Sequence, residues 1–148
     1  MDIYQSDSVL QILSRVFKLH RRHLHELLQN YEVYPGQPPL LIRLSERDGQ
    51  SQHELAAQMR VKPATLTVMI TRMEKTGLLR RGADSKDQRV SRVYLTDKGH
   101  QATTAVKQAL REIEETCLKG FLTEEKLLFR RLLLQMYENL KDIEEQTD

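Results

Sequence analysis

The side chains of this chain that can do chemistry are chiefly charged, and its cations are densest in one stretch. Residues 60–100 hold ten Lys or Arg against four Asp or Glu, whereas residues 112–148 hold five against ten. Residues 1–59 are nearly neutral, so the net charge of +2 hides a basic middle beside an acidic end. That distribution suits a localised face for a polyanion. Reactive groups elsewhere are sparse. His20, His23 and His25 are clustered without all sharing a helical face, His100 has no histidine one turn on, and His53 is isolated. A metal centre is therefore not expected. The chain has no H-E-x-x-H, no G-x-S-x-G and no phosphate-cradling glycine loop, so neither catalysis nor a cofactor is expected. Cys117 is the only cysteine, which excludes a disulfide framework and cysteine-rich zinc modules. It continues an apolar stripe and reads as a buried, inert thiol rather than a redox sensor.

The elements that position these groups follow from periodicity and punctuation. Val9, Ile12, Leu13, Val16, Phe17, His20, Leu24, Leu27 and Tyr31 recur at helical steps, predicting a long helix over 8–31 that ends at Tyr34-Pro35-Gly36. A short helix through Leu40, Leu41, Ile42 and Leu44 follows, ending before Asp48-Gly49. Ser51 and Glu54 form a capping box, and Leu55, Ala56 and Met59 face inward behind it. Pro63 fits the first turn of the next helix, which buries Leu66, Ile70 and Met73 and stops at Gly77. Two short helices so joined make a helix-turn-helix. Beyond Gly77 the period shortens: Leu78–Arg81 and Val90–Leu95 read as strands around a polar loop over 82–89, a β-wing. Thr96 caps another long helix through Thr103, Val106, Leu110 and Ile113, which Gly120 ends. Thr123 opens a last one with Phe129, Leu132, Leu133, Met136, Tyr137, Leu140 and Ile143 on its stripe. The fold class is mainly α with a small β-wing. A single domain is expected over 1–148, with the winged helix-turn-helix at 36–100 and helical dimerisation parts at 1–33 and 101–148. The central unit is too small to cover both long apolar stripes, which predicts a homodimer.

Met73-Glu74-Lys75-Thr76-Gly77-Leu78-Leu79-Arg80-Arg81, Asp87-Gln88-Arg89 and Tyr94-Leu95-Thr96-Asp97-Lys98-Gly99 resemble the L-E-x-x-G-L-[VI]-x-R, D-x-R and x-L-T-x-x-G patterns of the MarR family of winged helix-turn-helix transcription regulators. The order and spacing also match. The resemblance implies a homodimer on a pseudo-palindromic double-stranded DNA operator, a repressor of nearby genes that a small aromatic or phenolic ligand releases. It implies two recognition helices set about 34–36 Å apart to enter successive major grooves. It also implies a cytoplasmic bacterial or archaeal protein, held at the nucleoid by DNA. No apolar run approaches the roughly 20 residues of a membrane helix, in keeping with a soluble protein.

Under that resemblance the major-groove face is Pro63, Ala64, Thr65, Thr67, Val68, Thr71 and Arg72. The family frequently carries arginine where this chain has Val68, so more apolar contact and a target with thymines at this helix are expected. Ser51, Gln52, His53 and Lys62 are expected at the DNA backbone. Arg81, Lys86, Asp87, Arg89 and Arg92 belong to the wing. Arg89 would reach the minor groove, while Asp87 orients Arg72 or Arg89. A ligand pocket would draw on Val16, Phe17, His20, His23, Leu24, Leu41, Arg43, Leu44 and Val106. Two rival readings stay open. One is a DNA-binding regulator that answers to no ligand, and the other is an assembly module that keeps only the winged scaffold.

Overall fold

The computed structural model describes residues 2–145. It divides into two compact units, Met1–Ile113 and Glu114–Asp148. In the first unit, helix α1 (Val9–Leu28) starts under Ser8, whose hydroxyl accepts the Gln11 N–H, and it runs into a 3₁₀ turn at Gln29–Tyr31. Two prolines in the first turn open α2 (Pro38–Glu46), where their missing N–H groups leave no bond unmade. Strand β1 (Gln50–Ser51) leads into α3 (Gln52–Met59). Both bonds of the expected capping box are present: Glu54 N–H to Ser51 Oγ at 3.1 Å and Ser51 N–H to Glu54 Oε2 at 3.1 Å.

Helix α4 (Pro63–Lys75) begins on proline and ends at Gly77, where φ is +79°. The Leu78 N–H returns to Met73 O at 2.9 Å and the Gly77 N–H to Glu74 O at 3.0 Å. This Schellman closure turns the chain directly into the sheet. Strands β2 (Leu79–Ala83) and β3 (Ser91–Leu95) pair antiparallel, with Arg81 opposite Val93. Strand β1 pairs on the other side of β3, giving the order β1-β3-β2. The sequence reading missed β1, because two residues carry no detectable alternation. Helix α5 (Asp97–Cys117) then starts beneath Thr96, whose hydroxyl donates to Leu78 O at 3.1 Å and accepts the Gly99 N–H at 3.0 Å.

The core of the first unit joins α2, α3, α4, β2, β3 and α5. Leu40, Leu41, Leu44, Leu55, Leu66, Ile70, Met73, Leu78, Val93 and Val106 lose all contact with solvent. Each such side chain contributes about 1.5–3 kcal/mol on burial. Gly99 lies so close to the Leu78 carbonyl that a Cβ there would stand 2.1 Å from the oxygen. In the second unit α6 (Thr123–Glu145) has no buried side chain among its described residues, and Phe121 meets Phe129 edge to face at 6.0 Å.

Candidate nucleic-acid interface

Helix α4 divides cleanly by burial. Leu66, Ile70 and Met73 fix its inner side, while Pro63, Ala64, Thr65, Thr67, Val68 and Arg72 are exposed and Thr71 is half-buried. The apolar face holds the helix against α3 and the sheet, so the threonine-rich face turns outward. Two of its hydroxyls are nevertheless committed. Thr67 Oγ1 donates to Pro63 O at 2.9 Å and Thr71 Oγ1 donates to Thr67 O at 2.9 Å. At the head of α3, Ser51 is buried and spent on its cap, His53 is exposed, and Gln52 donates to Thr67 Oγ1 at 3.2 Å. Lys62 is exposed at the N-cap of α4.

Arg81 joins these pieces from β2. Its Nε donates to Gln52 Oε1 at 2.9 Å, and its Nη2 donates to Thr67 O at 3.2 Å and Thr71 Oγ1 at 3.1 Å. Its Nη1 is ion-paired with Glu74. The guanidinium fork thus faces α3 and α4, not the wing tip.

A second ion pair braces the wing. Arg92 Nε donates to Asp84 Oδ1 at 2.6 Å and its Nη1 donates to Gly49 O at 2.9 Å, tying the hairpin to the segment before β1. Asp84 Oδ2 also accepts the Lys86 and Asp87 N–H groups at 3.1 and 3.0 Å. The Arg92 hydrogen bond, aided by these amides, holds the Asp84 carboxyl below the usual range, and Asp84 in turn raises Arg92. Farther out, Asp87 Oδ1 accepts both the backbone N–H and Nε of Arg89, at 3.0 and 3.1 Å. That contact lowers the Asp87 carboxyl, while the Arg89 side chain remains 91% exposed. Of the two arginines expected to meet Asp87, the geometry selects Arg89. Lys86 is exposed beside it.

The residues expected to form a ligand pocket are divided between the core and the surface. Leu41, Leu44 and Val106 are close-packed core, and Arg43 reaches Gln58 at 3.5 Å. Val16 and Phe17 are exposed, His20 and Leu24 are half-buried, and His23 Nδ1 lies 3.3 Å from Glu26. An open concavity of about 630 Å³ lies instead along α1, at Leu10, Leu13, Phe17, Lys18, Arg21, His25 and Pro35. Cys117 is exposed rather than buried; the buried positions of α5 end at Ile113. Among the described residues no group of His, Cys, Asp and Glu could hold a metal ion, and no helix is long and apolar enough to cross a membrane.

Sequence reasoning missed four polar residues that shape the site: Asp48, Gln50, Glu74 and Asp84. Gln50 is 3% exposed and spends its amide on Arg43 O, at 3.0 Å, and Arg47 O, while accepting from Gln58 Nε2 at 3.0 Å. Asp48 accepts the Leu95 N–H at 3.0 Å. Glu74 and Asp84 lie seven and eight residues before the arginines they bind, too far apart for a local motif to mark them.

Fold and surface together define a winged helix-turn-helix protein with the threonine-rich face of α4 turned outward and a cationic wing. The sequence model of the MarR family matches residues 34–91. The HTH-type transcriptional repressor MdtR of Bacillus subtilis is 32% identical over 116 residues, covering 78% of this chain and 74% of MdtR. The HTH-type transcriptional regulator PecS of Dickeya dadantii is 30% identical over 135 residues, covering 89% and 81%. The crystal structure of a MarR transcriptional regulator from Methanosarcina mazei superposes with a TM-score of 0.78 at 26% identity, covering 91% and 97%. The chain belongs to the MarR family, and it is a transcription regulator rather than an enzyme.

Proposed function

We propose that the protein is a homodimeric repressor that binds a pseudo-palindromic operator in double-stranded DNA and is released by a small acidic aromatic ligand. The observation that carries this reading is the outer face of α4. Thr65, Thr67, Val68 and Arg72 stand exposed on a helix whose opposite side is buried, and Arg89 stands exposed on the wing. A rigid helix offering methyl groups and one cation suits the major groove, and an outlying arginine suits a narrow minor groove. His53, Lys62 and Lys86 supply exposed groups for phosphates. Support for a second copy comes from α6, where Leu127, Leu132, Leu133, Leu134, Tyr137, Leu140 and Ile143 are all exposed. For the ligand, the concavity on α1 sets Phe17 and Leu13 beside Lys18 and Arg21, a lining suited to an aromatic carboxylate.

Fluorescence anisotropy on the intergenic DNA upstream of the protein's own gene, against a scrambled duplex at about 0.15 M salt, tests the reading. Binding in the nanomolar range with roughly a thousandfold preference supports it. Equal, weak binding to this duplex, to the scrambled one and to genomic fragments recovered by selection overturns it in favour of an assembly role. Release of bound DNA by benzoate-type acids, but not by their amides, tests the ligand.

A further inference from the structure

We propose that Arg81 is a positioning residue for sequence readout. It touches no DNA, but by holding Gln52, Thr67, Thr71 and Glu74 it fixes the two threonines so that they present methyl groups and acceptor oxygens rather than hydroxyl donors. The proposal rests on the DNA-binding reading above.

The argument is one of donor accounting. A threonine hydroxyl has one proton, and both protons go to backbone carbonyls of α4 itself, Thr67 to Pro63 O and Thr71 to Thr67 O. Such back-bonds are weak and leave χ1 free to change when a base edge competes for the proton. Here each hydroxyl oxygen is also held from outside the helix. Gln52 Nε2 donates to Thr67 Oγ1, and Arg81 Nη2 donates to Thr71 Oγ1. Arg81 also donates to Gln52 Oε1, which orients that amide to give its N–H to Thr67. Glu74 anchors the fork by its ion pair, one helical turn beyond Thr71. A single guanidinium therefore links β2, α3 and α4 and sets the chemistry of a face it does not itself expose to the groove. With Val68 between them, two locked threonines make a surface that favours thymine methyls.

The test is selection from a randomised duplex pool, with anisotropy titrations over a salt series, for the wild type, Arg81→Lys, Glu74→Ala and Glu74→Gln. Lysine keeps the charge but lacks the fork. Arg81→Lys and Glu74→Ala are expected to lose about tenfold in the ratio of selected to scrambled binding, with broadened preference at the base pairs facing α4. The slope of log K against log salt should stay at the wild-type value, and Glu74→Gln, which keeps an acceptor for Nη1, should retain most of the ratio. A slope reduced by about one unit in a charge-removing Arg81→Met control would mean a phosphate contact and overturn the proposal. So would an unaltered selected sequence in Arg81→Lys. If the wild type itself shows no preference, the DNA reading fails. The free protein then decides the network: an Arg81 Nε–H resonance protected in wild type and Glu74→Gln but not in Glu74→Ala supports it, and its absence in wild type overturns it.

Discussion

At the residue scale, the wing shows how one arginine type does two jobs. Arg92 is braced against Asp84 and Gly49, whereas Arg89 is held, among the described residues, by its neighbour Asp87 alone and extends into solvent. Arg89→Ala is expected to weaken operator binding at least tenfold and to lower the salt slope by about one unit, with an unchanged thermal midpoint. Anisotropy and circular dichroism together check it. The Asp84–Arg92 pair carries a pH signature. Asp84 titrates below its ordinary 3.8 in the folded chain, so its contribution is complete above that value and fades as pH falls through the lowered one. Glu54, lowered foremost by the Ser51 N–H, behaves the same way. Asp84→Asn should therefore be less stable than wild type at pH 7, and the two should converge toward pH 3 and below. Urea melts at both pH values read this directly.

At the element scale, local signals were legible in the sequence and long-range ones were not. The capping box of α3, the proline start of α4 and the glycine stop at Gly77 are each decided within a few residues, and all three stand as read. Strand edges shifted slightly, from Leu78–Arg81 to Leu79–Ala83, because a wing strand ends where pairing ends and not where hydrophobicity does. Strand β1 exists only through its pairing with β3, a partner more than forty residues along the chain. The same holds for the Gly49–Arg92 bond, and for the clustering of Leu41, Leu44 and Val106 into core instead of a pocket wall. Residue types alone do not say which cations will be spent on the fold, and so the sequence places Arg81 with the wing cations although it turns toward α3 and α4. Helix α5 supplies the element-scale test. Gly99→Ala forces a methyl group onto the Leu78 carbonyl, where the nearest obstacle is backbone. A loss of about 2–3 kcal/mol is expected, measured by urea unfolding.

At the scale of the whole molecule, the open question posed by the fold is what covers α6. Exposed leucines in such number on one helix exceed the scattered apolar residues of an ordinary monomer surface. If a second copy covers them, charges placed there will separate the copies. The wild type is expected at twice the 17.3 kDa chain mass by light scattering across micromolar dilution. Leu133→Glu with Leu140→Glu is expected at the single-chain mass, with the two-site operator bound no more tightly than an isolated half-site. A single-chain mass for the wild type would overturn the dimer.

The exposed thiol at the end of α5 gives this last question a spectroscopic handle. Because Cys117 is the only cysteine and is open to solvent, a nitroxide attached there needs no background substitutions. An assembly of two chains then contains two spins and one interspin distance. That distance, followed by pulsed dipolar spectroscopy with operator and with candidate acids, would report the separation of the copies without crystals.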